Sequence, residues 1–265
     1  MEKETVFIIG ASDGIGRETA EKFLSAGYRV VNASRTVNAT EGITNLYCDC
    51  SSSETIKEAV KKASEDGIIT TAIYCAGYSF FAPLEHSEES DYRYLFEVNF
   101  FGAVTFMREI IPIMRKYGGG RIFLVSSIGG VSPIAYESFY SASKAAMNML
   151  SLSMNLELNR FGIYVISIMP GGTRTNFSFR RKVYEDTNYP YFEKAVKTLY
   201  KIEQDGDEPG IVADEIFEIA QKKRCIPIIA STGLKNKITH ILTSLSPYKF
   251  TVFLCKKIFY GLRGE

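Results

Sequence analysis

A tyrosine and a lysine four residues apart, Tyr140 and Lys144, form the pair in this sequence best suited to chemistry. On an α-helix, side chains at that spacing lie on one face, so the phenol and the ammonium group project together. A tyrosine with an ordinary pKa of about 10 is a poor base at neutral pH, but a neighbouring ammonium group favours the phenolate. The pair therefore predicts a proton-transfer site, although the spacing alone arises often by chance.

A glycine-rich turn follows the first apolar segment of the chain and opens a helical pattern. Its glycines allow a tight turn and let the backbone approach a pyrophosphate, while the helix N-terminus supplies N–H groups and a positive dipole end. The turn predicts a dinucleotide-binding loop, and an ordinary strand-to-helix turn is the alternative. The predicted contacts are Gly10, Ser12, Asp13, Gly14, Ile15 and Gly16.

The end of the second apolar segment indicates which nicotinamide cofactor is preferred. NAD-binding proteins tend to hold an acid there for the ribose 2′-hydroxyl. This chain instead has Ser34 and Arg35. The planar guanidinium group of Arg35 suits a 2′-phosphate, and the hydroxyls of Ser34 and Ser12 add donors. The pattern predicts NADP(H) as the cofactor, the alternative being that Arg35 is a solvated surface arginine.

Short apolar segments alternate with helical patterns along most of the chain. This alternation predicts an α/β fold: a Rossmann-like, doubly wound parallel sheet of about seven strands with helices on both faces, in a single domain over 1–265. Helices are predicted near 14–26, 53–66, 88–117, 138–161 and 212–223. The predicted strands are Val6–Ile9, Arg29–Ala33, Asn45–Cys48, Ala72–Cys75, Arg121–Val125, Tyr164–Met169 and Ile226–Ala230.

The motifs and their order resemble those of the short-chain dehydrogenase/reductase family over about residues 4–230. The shared features are the Gly-x-x-x-Gly-x-Gly turn, the Tyr-x-x-x-Lys pair and a serine thirteen residues before the tyrosine. The resemblance implies an oxidoreductase that passes a hydride between a nicotinamide and a carbonyl or alcohol carbon. It implies that Ser127, rather than Ser126, polarises the substrate oxygen and that Tyr140 is the acid and base.

The same resemblance implies roles for further residues. Lys144 would tune the tyrosine and grip the nicotinamide ribose, and Asn99 would connect the lysine to a water chain, with a purely structural role as the alternative for Asn99. Ile9 and Tyr74-Cys75 depart from the family pattern, which usually has a threonine and two asparagines there. The remaining cofactor contacts implied by the resemblance are Asp49, Cys75, Ala76, Gly77, Pro170, Gly171, Thr173 and Thr175.

Residues 176–209 form a polar and aromatic segment after the sixth predicted strand, and such a position predicts a lid over the substrate. Its rings favour an apolar substrate, such as a steroid or another lipid-like carbonyl. The alternatives are rings that only pack the lid, a small or 3-oxoacyl carbonyl substrate, or a non-catalytic NADP(H) sensor on the same fold. The rings are Phe177, Phe179, Tyr184, Tyr189, Tyr191, Phe192 and Tyr200.

Composition limits the remaining possibilities. A net charge of +1 over 265 residues gives no reason to expect a nucleic-acid partner. His86 and His240 have no neighbouring ligand cluster in the sequence, so no metal site is predicted. Five scattered cysteines indicate reduced thiols and a cytoplasmic protein. The sequence predicts neither a signal peptide nor a membrane span. The resemblance also implies a homodimer or homotetramer formed through the helices near 88–117 and 138–161.

The C-terminal extension, 231–265, has no place in the predicted sheet. Apolar residues recur at helical spacing up to Pro247, which predicts an amphipathic helix ending there. From Gln221 onward the sequence has nine Lys or Arg residues and a single acid, Glu265. Two interpretations remain open: the extension packs over the substrate pocket or a subunit interface, or it makes peripheral contact with an anionic membrane.

Overall fold

The computed structural model describes residues 4–36, 40–184 and 188–261. Seven parallel strands form the central sheet in the order β3-β2-β1-β4-β6-β7-β9. The strands β5 and β8 form a separate two-stranded sheet. The strands are β1 Glu4–Ile9, β2 Arg29–Ser34, β3 Ile43–Tyr47, β4 Ile68–Tyr74, β5 Phe80–Phe81, β6 Gly120–Val125, β7 Ile163–Met169, β8 Lys182–Val183 and β9 Ile229–Ser231.

Helices cover both faces of the sheet because the central strands are apolar on both sides. In β1, Phe7 and Ile9 point into one core cluster, and Val6 and Ile8 point into the other. Alternate residues of a strand face opposite sides, so this strand requires cover on each face. The helices are α1 Gly14–Ser25, α2 Ser53–Ala63, α3 Glu89–Phe96, α4 Gly102–Lys116, α5 Ser138–Leu158, α6 Phe192–Gln204, α7 Pro209–Gln221, α8 Leu234–Leu245 and α9 Tyr248–Tyr260.

A π-helical turn, Glu97–Phe101, joins α3 to α4 within the segment predicted as one helix. Such turns insert an extra residue into the helix and often mark functional sites. Here the turn carries Asn99, whose side chain is fully buried.

The predicted doubly wound parallel sheet is confirmed, and most element boundaries agree within a few residues. Two strands start elsewhere than predicted: β4 begins at Ile68 and not at Ala72, and β9 is observed at Ile229–Ser231 and not at Ile226–Ala230. Pro227 has no N–H to donate to a neighbouring strand, which explains the later start of β9. None of the helices in the described part of the chain is long and apolar enough to cross a membrane.

Candidate active site

The glycine turn lies at the carboxyl end of β1, where the chain crosses to β2 on one side and β4 on the other. Gly10 has φ +94°, and a Cβ there would lie 2.9 Å from the backbone nitrogen of Ala76 and 3.1 Å from the carbonyl carbon of Cys75. A Cβ on Gly16 would lie 2.2 Å from the Gly10 carbonyl oxygen. The turn therefore tolerates only glycine at these two positions, and its backbone is open to a close-fitting ligand such as a pyrophosphate.

Asp13 caps α1 and also faces the lid. Its carboxylate accepts a hydrogen bond from the Gly14 backbone nitrogen at 2.8 Å. The same carboxylate forms an ion pair with Arg180 at 3.0 Å and accepts a hydrogen bond from Asn176 at 3.0 Å. Asp13 was predicted only as a cofactor contact, and the structure gives it two partners in the lid. Ser12 and Ile15 are half-buried beside it.

Asn32 supports the turn from below, and the sequence analysis did not identify it. Its side-chain oxygen accepts a hydrogen bond from the Ala11 backbone nitrogen at 2.9 Å, and its side-chain nitrogen donates to Asn45 at 2.7 Å. A buried polar group needs such partners. The available signal was an asparagine in the middle of an otherwise apolar strand.

Arg35 follows β2 with an exposed side chain that donates a hydrogen bond to the Tyr94 hydroxyl at 3.0 Å. The hydroxyl of Ser34, predicted as a phosphate donor, is buried and donates to the Thr36 carbonyl at 2.7 Å. Asp49 lies in the loop after β3, where its carboxylate accepts hydrogen bonds from the Ser51 backbone nitrogen and hydroxyl at 2.9 and 2.8 Å.

Two serines follow β6 at the carboxyl edge of the sheet, and they have different partners. The Ser127 hydroxyl is hydrogen-bonded to Tyr140, which lies in the first turn of α5. The Ser126 hydroxyl donates instead to the backbone carbonyl of Lys144 at 3.0 Å. Ser127 is thus the serine placed beside the phenol, as the resemblance implied, and Ser126 anchors the helix.

The phenol of Tyr140 is protonated at neutral pH in this environment. Burial of its hydroxyl end raises the pKa well above the ordinary value, and the hydrogen bond with Ser127 opposes that rise. A phenol that holds its proton at neutral pH is set up to donate it to a neighbouring oxygen.

Lys144 lies one turn along α5 with its side chain almost fully buried. Its Nζ donates to the Val125 carbonyl at 2.8 Å and lies 5.6 Å from the centre of the Tyr140 ring. Burial lowers the pKa of Lys144 to about 8. The ammonium group lies near the Tyr140 ring and close to Gly77, where a Cβ would lie 3.8 Å from Nζ.

Asn99 holds the segment after β4 against α5. Its side-chain oxygen accepts from the Tyr78 backbone nitrogen at 2.7 Å, and its side-chain nitrogen donates to the Tyr78 carbonyl at 2.9 Å. The same nitrogen donates to the Ser143 hydroxyl at 3.0 Å. In the described structure Asn99 thus positions the backbone beside Lys144, which is the structural role that the sequence left open.

The Pro-Gly turn after β7 contacts both the segment after β6 and the glycine turn. The Pro170 carbonyl accepts from the Ile128 backbone nitrogen at 2.8 Å, and the Thr173 hydroxyl donates to the Gly171 carbonyl at 3.1 Å. The side chain of Thr175 packs on the glycine turn, where a Cβ on Gly14 would lie 3.0 Å from its methyl carbon. The predicted cofactor contacts from β1, β4 and β7 therefore meet at one edge of the sheet.

A buried charge triad, Glu137, Arg181 and Glu203, joins the lid to the catalytic helix. Arg181 Nε lies 2.7 Å from Glu137, and its two terminal nitrogens donate to both oxygens of Glu203 at 3.1 and 2.7 Å. The side chains of Glu137 and Arg181 are each 1% exposed. Arg181 also stacks against Phe81 and Phe177, with 5.0 and 5.4 Å from its guanidinium carbon to the ring centres.

The triad holds two carboxylates and one cation, so it favours the uptake of a proton. Burial raises the pKa of Glu137 to about 7, and Arg181 and the hydroxyl of Ser79 oppose that rise. Glu137 lies three residues before Tyr140, and its charge raises the pKa of that phenol while Arg181 lowers it. The sequence analysis did not identify this triad, because its members are 22 or more residues apart.

Most lid rings pack against the protein and not around the tyrosine. Phe177 is the lid ring nearest the site, with its centre 6.1 Å from that of Tyr140. Tyr189 and Phe192 both pack on Tyr136, and Tyr200 packs on Phe81. Phe179 remains exposed, Tyr184 packs on Phe80, and Tyr191 stacks on Tyr260. A cleft of about 420 Å³ lies between the glycine turn and the lid, lined by Gly14, Thr175, Asn176 and Glu203 among others.

Comparison with known proteins gives the class of this chain. Residues 4–185 match the short chain dehydrogenase family. The chain is 34% identical over 230 residues to 3-ketodihydrosphingosine reductase from Bacteroides thetaiotaomicron, covering 84% of this chain and 86% of that protein. The chain therefore belongs to the short chain dehydrogenases and is an oxidoreductase of that family.

Solved structures agree in fold. A short-chain dehydrogenase from Streptomyces avermitilis superposes with a TM-score of 0.82 at 25% identity, covering all of both chains. Another from Burkholderia cenocepacia, solved in complex with NADP, superposes with a TM-score of 0.76 at 21% identity, covering 96% of this chain and 98% of that one.

Proposed function

We propose that this chain is an NADP(H)-dependent carbonyl reductase that interconverts a ketone or aldehyde and an alcohol. The observation that carries the proposal is the position of the Tyr140 phenol, hydrogen-bonded to Ser127 and close to Lys144 at the edge of the sheet that holds the glycine turn. A donor pair of this kind suits a carbonyl oxygen.

The residues present fit a nicotinamide dinucleotide. The glycine turn and the N-terminus of α1 would hold the pyrophosphate, and the exposed guanidinium group of Arg35 would hold a 2′-phosphate. Lys144 would bind the ribose hydroxyls, while Thr175 and the backbone at Gly77 would flank the nicotinamide. When bound, the reduced cofactor supplies the hydride.

The protein residues supply the proton and hold the oxygen. Ser127 and Tyr140 bind the carbonyl oxygen and orient the carbon toward the cofactor side of the site. As the carbonyl double bond becomes a single bond, the carbon gains a C–H bond and the oxygen takes the proton from Tyr140. The carbonyl is reduced and the cofactor oxidised. Ser127 and Arg181 stabilise the phenolate left on Tyr140 until solvent returns a proton.

An apolar substrate is favoured by the side chains around Tyr140. The ring belongs to a cluster that includes Phe80, Leu95, Phe139 and Tyr184. Phe80 and Leu95 are buried, but the half-buried rings packed on them, Tyr78, Tyr92 and Phe139, would contact a steroid or lipid-like carbonyl better than a small polar one. The name of the 3-ketodihydrosphingosine reductase relative supports a keto substrate and the reductive direction.

The proposal includes a homodimer or homotetramer in the cytoplasm. Met149 and Leu156 on α5 are 63% and 89% exposed, which suits burial against a second copy. The five cysteines are free, which fits a reducing compartment.

The test is NADPH oxidation by the purified chain with a panel of ketones. The panel contains a long-chain lipid ketone, a ketosteroid, a 3-oxoacyl thioester and acetone. The account predicts turnover of a lipid-like or steroid ketone with NADPH and little turnover of acetone. NADPH binding without turnover of any carbonyl would favour a sensor, and preference for the thioester would assign the substrate to the 3-oxoacyl class.

A further inference from the structure

The C-terminal helix α8 is amphipathic, but its polar face points toward the protein. Asn236 donates to the Thr232 carbonyl at 2.8 Å, and a Cβ on Gly171 would lie 2.0 Å from its side-chain oxygen. His240 Nδ1 is hydrogen-bonded to the Ser231 hydroxyl at 2.8 Å. The apolar residues point outward and are 50–81% exposed: Leu234, Ile238, Ile241, Leu242 and Leu245.

The next helix, α9, is held along one edge and exposes the rest. Thr251 and Phe259 are buried, and Cys255 between them lies 3.4 Å from the Ser132 hydroxyl. The apolar side chains on the other faces are 42–90% exposed: Tyr248, Phe250, Val252, Phe253 and Ile258. We call these residues, together with the five of α8, the tail surface.

The tail surface is accompanied by positive charge. Lys249, Lys256 and Lys257 are exposed on α9, whereas Lys237 of α8 forms an ion pair with Glu215 at 2.8 Å. The sequence from 219 to 261 contains no Asp or Glu. Two consecutive helices that each expose several large apolar side chains, with lysines among them, mark an interaction site, since soluble proteins rarely expose so many together.

Charge decides between the two partners that could cover this surface. A second copy of the chain would meet it through the same patch, which would bring the lysines of one copy against those of the other. An anionic lipid surface complements both features, because it accepts apolar side chains and attracts lysines. Helices of 12 and 13 residues are too short to span a bilayer, so they would lie in its plane.

We propose that the tail surface docks the protein onto an anionic membrane. The docked helices adjoin the active site, because Asn236 contacts the Pro-Gly turn and α9 packs on α6 of the lid, with Lys194 donating to the Tyr260 carbonyl at 2.6 Å. Docking would therefore place the lid at the lipid boundary. The proposal does not depend on the proposed function, since binding is measured without cofactor or substrate.

The experiment floats the full-length protein with vesicles at low salt. One set of vesicles contains equal parts phosphatidylcholine and phosphatidylserine, and the other contains phosphatidylcholine alone. We expect flotation with the anionic vesicles and much less with the neutral ones or at high salt. Replacing both leucines (L242S/L245S) should weaken binding by about a hundredfold or more. Replacing two lysines (K256Q/K257Q) should weaken it about thirtyfold.

Matched controls carry the same changes elsewhere on the surface. Leu84→Ser alters a leucine that is 67% exposed, and K57Q/K61Q removes two exposed lysines of α2. Both should float like the wild type. Absence of flotation with anionic vesicles at low salt would overturn the proposal, as would flotation unaffected by L242S/L245S. If the leucine substitutions instead convert a dimer to a monomer in sedimentation, the partner is a second copy.

Discussion

The glycine turn and the lid border the same cleft and are held in place by different interactions. The turn depends on the backbone: Gly10 and Gly16 let three segments meet closer than any side chain would allow. The lid depends on a buried charge triad in which Arg181 links Glu203 of α6 to Glu137 before α5. The turn is thus shaped by glycines within one short segment that let distant backbone approach, whereas the lid is held by charged side chains far apart in the sequence.

The largest expected effect on stability comes from removing the cation of the triad. Arg181→Met leaves the carboxylates of Glu137 and Glu203 buried without their partner, which should cost about 3–5 kcal/mol of unfolding free energy. Arg181→Lys keeps the charge but loses the bidentate contact with Glu203, so the free energy of unfolding should fall by less. Denaturant unfolding measures both. Wild-type stability in Arg181→Met would contradict the assigned role of the triad.

A second prediction concerns the pH dependence of the lid attachment. Burial raises the pKa of Glu137 from 4.5 to about 7, so between these values the folded chain holds a proton that the unfolded chain releases. The associated stability is complete below about pH 4.5 and is lost as the pH rises through 7.

Glu137→Gln removes this titration. The stability of the wild type relative to the variant should therefore fall by up to about 3 kcal/mol across that window. Thermal unfolding of both proteins over a pH series measures the difference. Parallel profiles would show that Glu137 does not titrate there.

The smallest of these effects falls on the cofactor side. Arg35→Ala should weaken NADPH binding about ten- to a hundredfold and leave NADH binding and stability nearly unchanged, because the proposed cofactor contact of the exposed guanidinium group is with the 2′-phosphate alone. Arg93→Ala, which removes an arginine paired with Glu89 on the surface of α3, is the matched control. Fluorescence titration with both cofactors checks this, and equal losses for NADPH and NADH would contradict the role of Arg35.

The cofactor side could be predicted because its signals are local. The spacing of Gly10, Gly14 and Gly16 after a buried strand predicts the turn, and the resemblance to the family implies the pairing of Ser127 with Tyr140. Ser34 shows the limit even there, because its backbone position was predictable but its hydroxyl partner was not.

The substrate side was less predictable for physical reasons. No periodicity reveals that Arg181 and Glu203 pair with Glu137, since the pairing depends on how the lid folds back. The apolar spacing of α8 predicts a helix, but it does not say which face meets the protein. Amphipathic helices usually bury their apolar face, and this one presents it to the surroundings.

Turnover by Tyr140→Phe tests the central claim most directly, because the change removes one hydroxyl and keeps the ring. The account predicts NADPH binding like the wild type and a loss of ketone turnover of about 10²–10⁴-fold. Ser127→Ala should also be impaired, and Ser126→Ala, whose hydroxyl contacts the helix backbone, should be milder. Near-native turnover in Tyr140→Phe on the same ketone would contradict the assignment of Tyr140 as the proton donor.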